Sequence, residues 1–176
     1  MEALALRATS RAFSPAELPL QELSDLLWAA FGINRADGKR TAPSARNWQE
    51  TDIFVLIKAG AYRYDAKAHC LAPVVAGDIR GLGGVQAFVR DAPVTLIYVA
   101  DLSKTGSGPL EPRREMAAMD TAFIAANACI YCASEGLATG VRAYVDKAAL
   151  GKKLGLGKDQ AILLAQSVGR PAPPKP

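Results

Sequence analysis

The sequence predicts an α+β fold, with a central, mostly antiparallel sheet flanked by helices. Three observations predict it. Short strand-like runs at 51–58, 62–64 and 71–75 are separated by turn residues, as in hairpins. A continuous apolar run at 93–100 (PVTLIYVA) suits a central strand buried on both faces. Helical patterns stand on either side of these strands instead of alternating with them, which disfavours a doubly wound dinucleotide fold.

The elements follow in order. Residues 1–8 read as a helical turn or two ending near Thr9, and Ser14-Pro15 opens a new segment. Leu23, Leu26, Leu27, Ala30 and Phe31 then recur at helical spacing, and Gly32 closes that helix. Residues 33–50 are polar and rich in turn formers; a loop this long in a compact domain is usually functional or disordered. After the hairpin strands, residues 77–84 lead into a short helix at 85–90. Residues 101–112 read as a mobile loop and 113–135 as the longest helix, whose alanines let a second helix approach closely. A short helix at 146–154 and a last strand at 161–168 follow, and the tail RPAPPKP cannot be regular structure. Residues 1–176 show no repeat and no linker, so the whole chain reads as a single domain.

Composition narrows the function classes. Half of the residues are apolar and 22% are charged, so the chain can bury a core and is not globally disordered. The net charge of +4 suits an anionic small ligand; the basic residues are too scattered for a nucleic-acid stripe. The apolar stretch 117–133 is interrupted by Asp120, Thr121 and Asn127 and reads as a buried helix, not a membrane span. The N-terminus lacks a signal-peptide pattern, so the expected location is cytoplasmic, or exported if such a peptide has been removed.

Several motifs invite chemistry that they do not support. Gly151 to Lys158 imitates a phosphate loop, but its spacing is one residue too long and Asp159 stands where Ser or Thr is needed. Cys129 and Cys132 lie mid-helix, where small buried thiols are expected and not a redox pair. His69 is the only histidine; it builds no metal site or conventional triad and is expected on the surface.

Three segments carry candidate binding chemistry. Arg7 and Arg11 stand four apart with Thr9 and Ser10 between them, a set that fits either a phosphate cradle or a solvated terminus. Pro43, Ser44, Asn47 and Gln49 supply donors and acceptors within the long loop, as a flavin edge needs and as an ordinary turn also would. After the long helix, Glu135-Gly136-Leu137 forms a helix stop, and Gly140, without a Cβ, lets backbone lie flat against a planar ring or simply turn.

Together these segments resemble the nitroreductase family in order and spacing. Arg7-x-Thr9-x-Arg11 is similar to its Arg-x-Ser-x-Arg/Lys phosphate motif, and Pro43-Ser44-x-x-Asn47-x-Gln49 to its Pro-Ser-x-x-Asn-x-Gln loop. Asp91-Ala92-Pro93, the Ala-rich helix ending at Glu135-Gly136-Leu137, and Gly169-Arg170-Pro171 complete the likeness. Tyr62-Arg63-Tyr64-Asp65 resembles the branch near the azoline-oxidising dehydrogenases. There are departures: Thr9 replaces Ser, Glu50 follows Gln49 where Pro is common, and Ala143-Tyr144 replaces Glu-Gly. Only Arg170 and Lys175 remain of the C-terminal basic pair.

The resemblance implies a nitroreductase-like homodimer with FMN at the interface. Arg7, Ala8, Thr9 and Arg11 would hold its phosphate; Pro43, Ser44 and Asn47 would reach it from the partner subunit. Val141, Arg142 and Ala143 would line the ring, with Gln86 and Arg170 as further contacts. Arg142 and Arg46 near the ring would favour an anionic reduced flavin. The implied activity is ping-pong hydride transfer from NAD(P)H, through flavin N5, to a nitroaromatic, quinone or activated alkene. No side chain is expected to act as a catalytic acid or base, and no metal is expected. Azoline-type dehydrogenation and non-enzymatic flavin binding are the alternatives.

Overall fold

A computed structural model describes residues 1–173. The end of the tail, including Lys175, lies outside the described residues. Six strands form one sheet in the order β3-β2-β1-β4-β6-β5, and every neighbouring pair is antiparallel. The strands are β1 (Thr51–Ile57), β2 (Gly60–Asp65), β3 (Cys70–Ala76), β4 (Val94–Asp101), β5 (Ala138–Arg142) and β6 (Gln160–Gly169). The helices are α1 (Glu2–Leu6), α2 (Leu20–Phe31), α3 (Leu110–Ser134) and α4 (Lys147–Leu154).

The alternation of side chains along each strand builds a core on both faces. Ile53, Val55, Val94, Leu96 and Tyr98 turn toward α2 and α3, where they meet Leu23, Leu26, Leu27, Ile124 and Ala128. Phe54, Leu56, Ile97, Val99 and Ile162 turn the other way, against Leu150 and Leu154 of α4. The five residues expected on the inner face of α2 are the five it buries.

Three elements depart from expectation. Helix α3 begins at Leu110, inside the expected loop, because Pro112 falls in its first turn, where no backbone N–H is required. Strand β5 was expected only as irregular backbone; it is an edge strand paired along its length with β6. Between α3 and β5, Gly136 adopts φ +65° and the Leu137 N–H donates to Cys132 O at 2.7 Å, a closed helix stop. The expected helix at 85–90 is a single tight turn, Ala87–Arg90, preceded by another at Arg80–Gly83.

Helix α3 has two faces. Ala117, Thr121, Ile124, Ala125, Ala128 and Cys132 are buried inward. On the outside, Met116, Met119, Phe123, Ala126 and Ile130 recur at alternating spacings of three and four. Met119 is 58% and Phe123 51% exposed, and Ala126 is exposed between them and the half-buried Ile130. By length and composition α3 could cross a membrane, but its inner face is part of the domain core.

Candidate functional site

The Arg7–Arg11 segment runs over β5. The Ser10 N–H donates to Thr139 O at 2.8 Å, and the site where a Cβ on Gly140 would stand is 2.7 Å from Ser10 O. Gly140 therefore accommodates the N-terminal backbone itself, where the sequence suggested a flat ring against it. Further along, Phe13 pairs with Pro171, and the Ser14 N–H donates to Arg170 O. These links hold Arg7, Ala8, Thr9 and Arg11 at the β5 edge, with all four side chains exposed. Neither arginine has a carboxylate partner within the described residues.

A buried network supports this edge from below. Tyr98 donates its hydroxyl to Gln166 Oε1 at 2.5 Å, and Gln166 Nε2 donates to Thr139 Oγ1 at 2.8 Å. Thr139 Oγ1 in turn donates to Ser167 O. Gln166 is fully buried, so the network is satisfied without water.

Val141, Arg142 and Ala143 continue from Gly140, but Arg142 turns inward. Its Nε and Nη2 donate to Gly83 O at 3.0 and 2.7 Å, and Nη1 donates to Ser167 Oγ at 2.9 Å. Burial pushes this guanidinium down to about 10, so it stays charged at neutral pH. The side chain thus clamps the Gly83–Gly84 backbone to β5, and Val141 and Ala143 are left exposed on either side. Beside the clamp, a cavity of about 550 Å³ is lined by Gly84, Gln86, Ala87, Arg90 and Asp146. Gln86 Oε1 is buried and has no donor among the described residues. Arg170 is occupied in an ion pair with Glu22 of α2.

The loop segment lies elsewhere. Ala45 N–H donates to Asp120 Oδ2 at 2.7 Å, which seats the segment on α3. Within it, Gln49 N–H donates to Ser44 Oγ, and Gln49 Nε2 donates to Asn47 Oδ1, both at 3.0 Å. Arg40 Nε donates to Gln49 Oε1 and its guanidinium sits over the Phe31 ring. Arg46, Asn47 and Gln49 all adopt left-handed backbone, with φ of 51°, 57° and 49°. Left-handed geometry costs a non-glycine residue about 1 kcal/mol or more, so this loop is held in place against local preference. Arg46 is exposed and faces the Trp48 ring.

The structure therefore joins two of the three sequence segments and separates the third. Arg7 acts electrostatically on Cys129: burial pushes that thiol up, and the Arg7 charge draws it back. The loop instead docks at Asp120. Among the described residues, no hydrogen bond joins Ser44 or Asn47 to Arg7, Thr9 or Arg11.

Two residues escaped the sequence reading. Glu50 is fully buried at the start of β1, with neither carboxyl oxygen partnered, and no local sequence pattern announces that. His69, expected as a plain surface residue, is exposed but bridges Ser24 Oγ (2.7 Å) and Tyr64 Oη (2.9 Å) at the rim of a 560 Å³ cavity near the β3 edge. Ser24 lies 45 positions away, so only the fold brings them together. Of the two thiols expected to be buried, Cys132 is and Cys129 is only half-buried; burial lifts Cys132 to about 12, which leaves no thiolate there at neutral pH.

Comparison with known proteins agrees with this architecture. A protein from Ralstonia eutropha JMP134, described as a nitroreductase, is 40% identical and superposes with a TM-score of 0.93 over 99% of this chain and 83% of that one. A nitroreductase-named protein from Methanocaldococcus jannaschii is 28% identical over 82% of this chain and 79% of its own length. The Vibrio harveyi NADPH:FMN oxidoreductase, solved with NAD+, shares the fold at 18% identity and a TM-score of 0.72, over 99% of this chain and 71% of that one. The family profile itself spans residues 4–170, from α1 through β6, and takes in all three segments described above. The chain belongs to the nitroreductase family, a family of oxidoreductases.

Proposed function

We propose that this protein is an FMN-dependent NAD(P)H oxidoreductase whose two flavin sites each need both copies of a homodimer. The observation that carries the reading is the split of the site residues. Two free arginines and a hydroxyl stand on one edge, suited to a phosphate dianion. The complementary Ser44–Asn47 group is seated on α3 through Ala45 and Asp120, with no hydrogen bond to those arginines or that hydroxyl among the described residues.

The residues present fit FMN. Arg7, Thr9 and Arg11 would grip the phosphate, with Ala8 leaving room for it. Val141, Arg142 and Ala143 would support the ring through backbone groups, since the Arg142 guanidinium is committed to Gly83 and Ser167. The unpartnered Gln86 Oε1 would accept from a ring N–H. Pro43, Ser44 and Asn47 would come from the partner subunit, and Arg170 would act at second hand by fixing the chain end to α2. FMN, when bound, supplies ping-pong hydride chemistry between NAD(P)H and an electron-poor acceptor such as a nitroaromatic, quinone or activated alkene. The protein's own part is to bind, orient and shield.

Dimerisation has a physical basis in α3. Its exposed apolar residues follow the spacing of a two-helix seam. Pairing α3 with its copy would bury them and bring the loop of one copy toward the β5 edge of the other.

An absorption spectrum of the purified protein, followed by rapid mixing with NADH and NADPH, tests the reading. Flavin bands that bleach with a nicotinamide and return on adding a quinone are expected. A protein that takes up no FMN would refute it; bound flavin that neither nicotinamide reduces would favour azoline-type oxidation or a non-enzymatic flavin-binding role.

A further inference from the structure

We propose that Glu50 and Asp120 share a single proton, and that this shared-proton pair is the positioning element for the Ser44–Gln49 segment. The consequence for flavin rests on the function proposed above; the pair itself does not.

The geometry leaves the pair few options. Glu50 is fully buried and Asp120 nearly so. Asp120 Oδ2 accepts from Ala45 N–H, while both Glu50 oxygens lack a donor from any described residue. The Thr51 and Thr121 hydroxyls, each next in sequence to one of these residues, bond to one another at 2.9 Å, which sets the two carboxyl residues side by side, and the Asp120 charge acts on Glu50. Two buried carboxylates so placed repel strongly, but one proton between them satisfies both an acceptor and a donor. Burial first, and then the Asp120 charge, push Glu50 up to about 7.

The surroundings do not neutralise the pair otherwise. From the turn after β4, Lys104 is the cation that acts on Glu50, and it is 3.4 Å from Asp52 of β1 on the surface. From α3, Arg113 directs Nη1 to Leu102 O and Thr105 Oγ1. Thr51 and Thr121 bond to one another beside the pair.

Position makes the pair consequential. Glu50 directly follows Gln49, the last of three left-handed residues, and Asp120 holds Ala45 at the other end of the segment. Losing the shared proton would place a second buried anion under a loop that already opposes its local preference. Opening the loop to water relieves both.

Amide hydrogen exchange of residues 44–49 in the full chain, corrected for intrinsic rates, tests this between pH 6 and pH 8.5. Wild-type protection should fall about tenfold, as one group titrating near 7 in the closed loop and at its ordinary value in the open loop requires over that range. Glu50→Gln, which donates to Asp120 without titrating, should stay protected and flat. Wild-type protection that does not change with pH overturns the proposal, as does a Glu50→Gln profile that follows wild type. The wild-type titration needs no variant, so a poorly folding Glu50→Gln leaves the test intact. FMN titrations at the same pH values separate the two readings. Affinity that follows loop protection supports both; affinity that stays flat while protection titrates supports the pair and removes this segment from the flavin site.

Discussion

Replacing Gly140 with alanine would test whether the N-terminal cradle is built on β5. The new Cβ would lie 2.7 Å from Ser10 O and 3.6 Å from Thr9 Cγ2. The first neighbour is backbone, so the segment carrying Arg7, Thr9 and Arg11 must move by about 0.7 Å or more to reach ordinary contact distance. That movement strains the 2.8 Å bond from Ser10 N–H to Thr139 O, about 1 kcal/mol if lost. Overpacking a close-fitted site adds about 1–3 kcal/mol. The sum, about 2–4 kcal/mol, corresponds to a fall in Tm of roughly 5–15 °C for a domain of this size. Because the moving atoms carry the proposed phosphate ligands, FMN affinity should fall at least about tenfold, 1.4 kcal/mol. Gly151→Ala is the matched control. Its Cβ meets nothing nearer than 3.8 Å within α4, so it should gain up to about 1 kcal/mol of helix propensity and leave FMN affinity alone. Thermal melts and flavin fluorescence titrations give both quantities. A Gly140→Ala protein as stable and as tight for FMN as wild type would refute the packing argument.

Other expectations are equally direct. Arg7→Ala and Arg11→Ala should each weaken FMN at least about tenfold by calorimetry while leaving riboflavin affinity nearly unchanged, because only the phosphate is lost; equal losses for both ligands would contradict the cradle. Met119→Lys combined with Phe123→Lys should give a folded monomer by sedimentation, without flavin, since charges would occupy the exposed seam of α3; a variant dimer that keeps its flavin would contradict the seam. The dependence of loop protection on pH, set by Glu50 and Asp120, is the third.

How much of this was legible from sequence depended on the range of the interactions. The inner face of α2 follows from its own spacing, and the central strand β4 from its continuous apolar run. Strand β5 did not show, because Ala-Thr-Gly-Val-Arg is short, contains glycine and owes its form to pairing with β6 more than twenty residues on. Arg7 and Arg11 were legible as residues but not as a place; the Ser10–Thr139 and Ser14–Arg170 bonds and the Phe13–Pro171 pairing put their segment on the sheet edge. Arg142 shows the opposite failure: expected to line a ring, its side chain instead points into the fold, onto Gly83 and Ser167. Glu50 looked like a mere departure from a family pattern, and its burial is decided by α3, seventy positions later.

The central claim is that one copy grips the phosphate while the other supplies the loop, and mixed dimers test it most directly. Arg7→Ala/Arg11→Ala protein and Ser44→Ala/Asn47→Ala protein should each be nearly flavin-free as homodimers. Once the two are unfolded together and reassembled, each mixed dimer contains one site made wholly of native residues, so about one flavin per mixed dimer should return. No recovery in a mixture shown to contain mixed dimers would mean that both groups serve a site within a single chain, and would contradict the account.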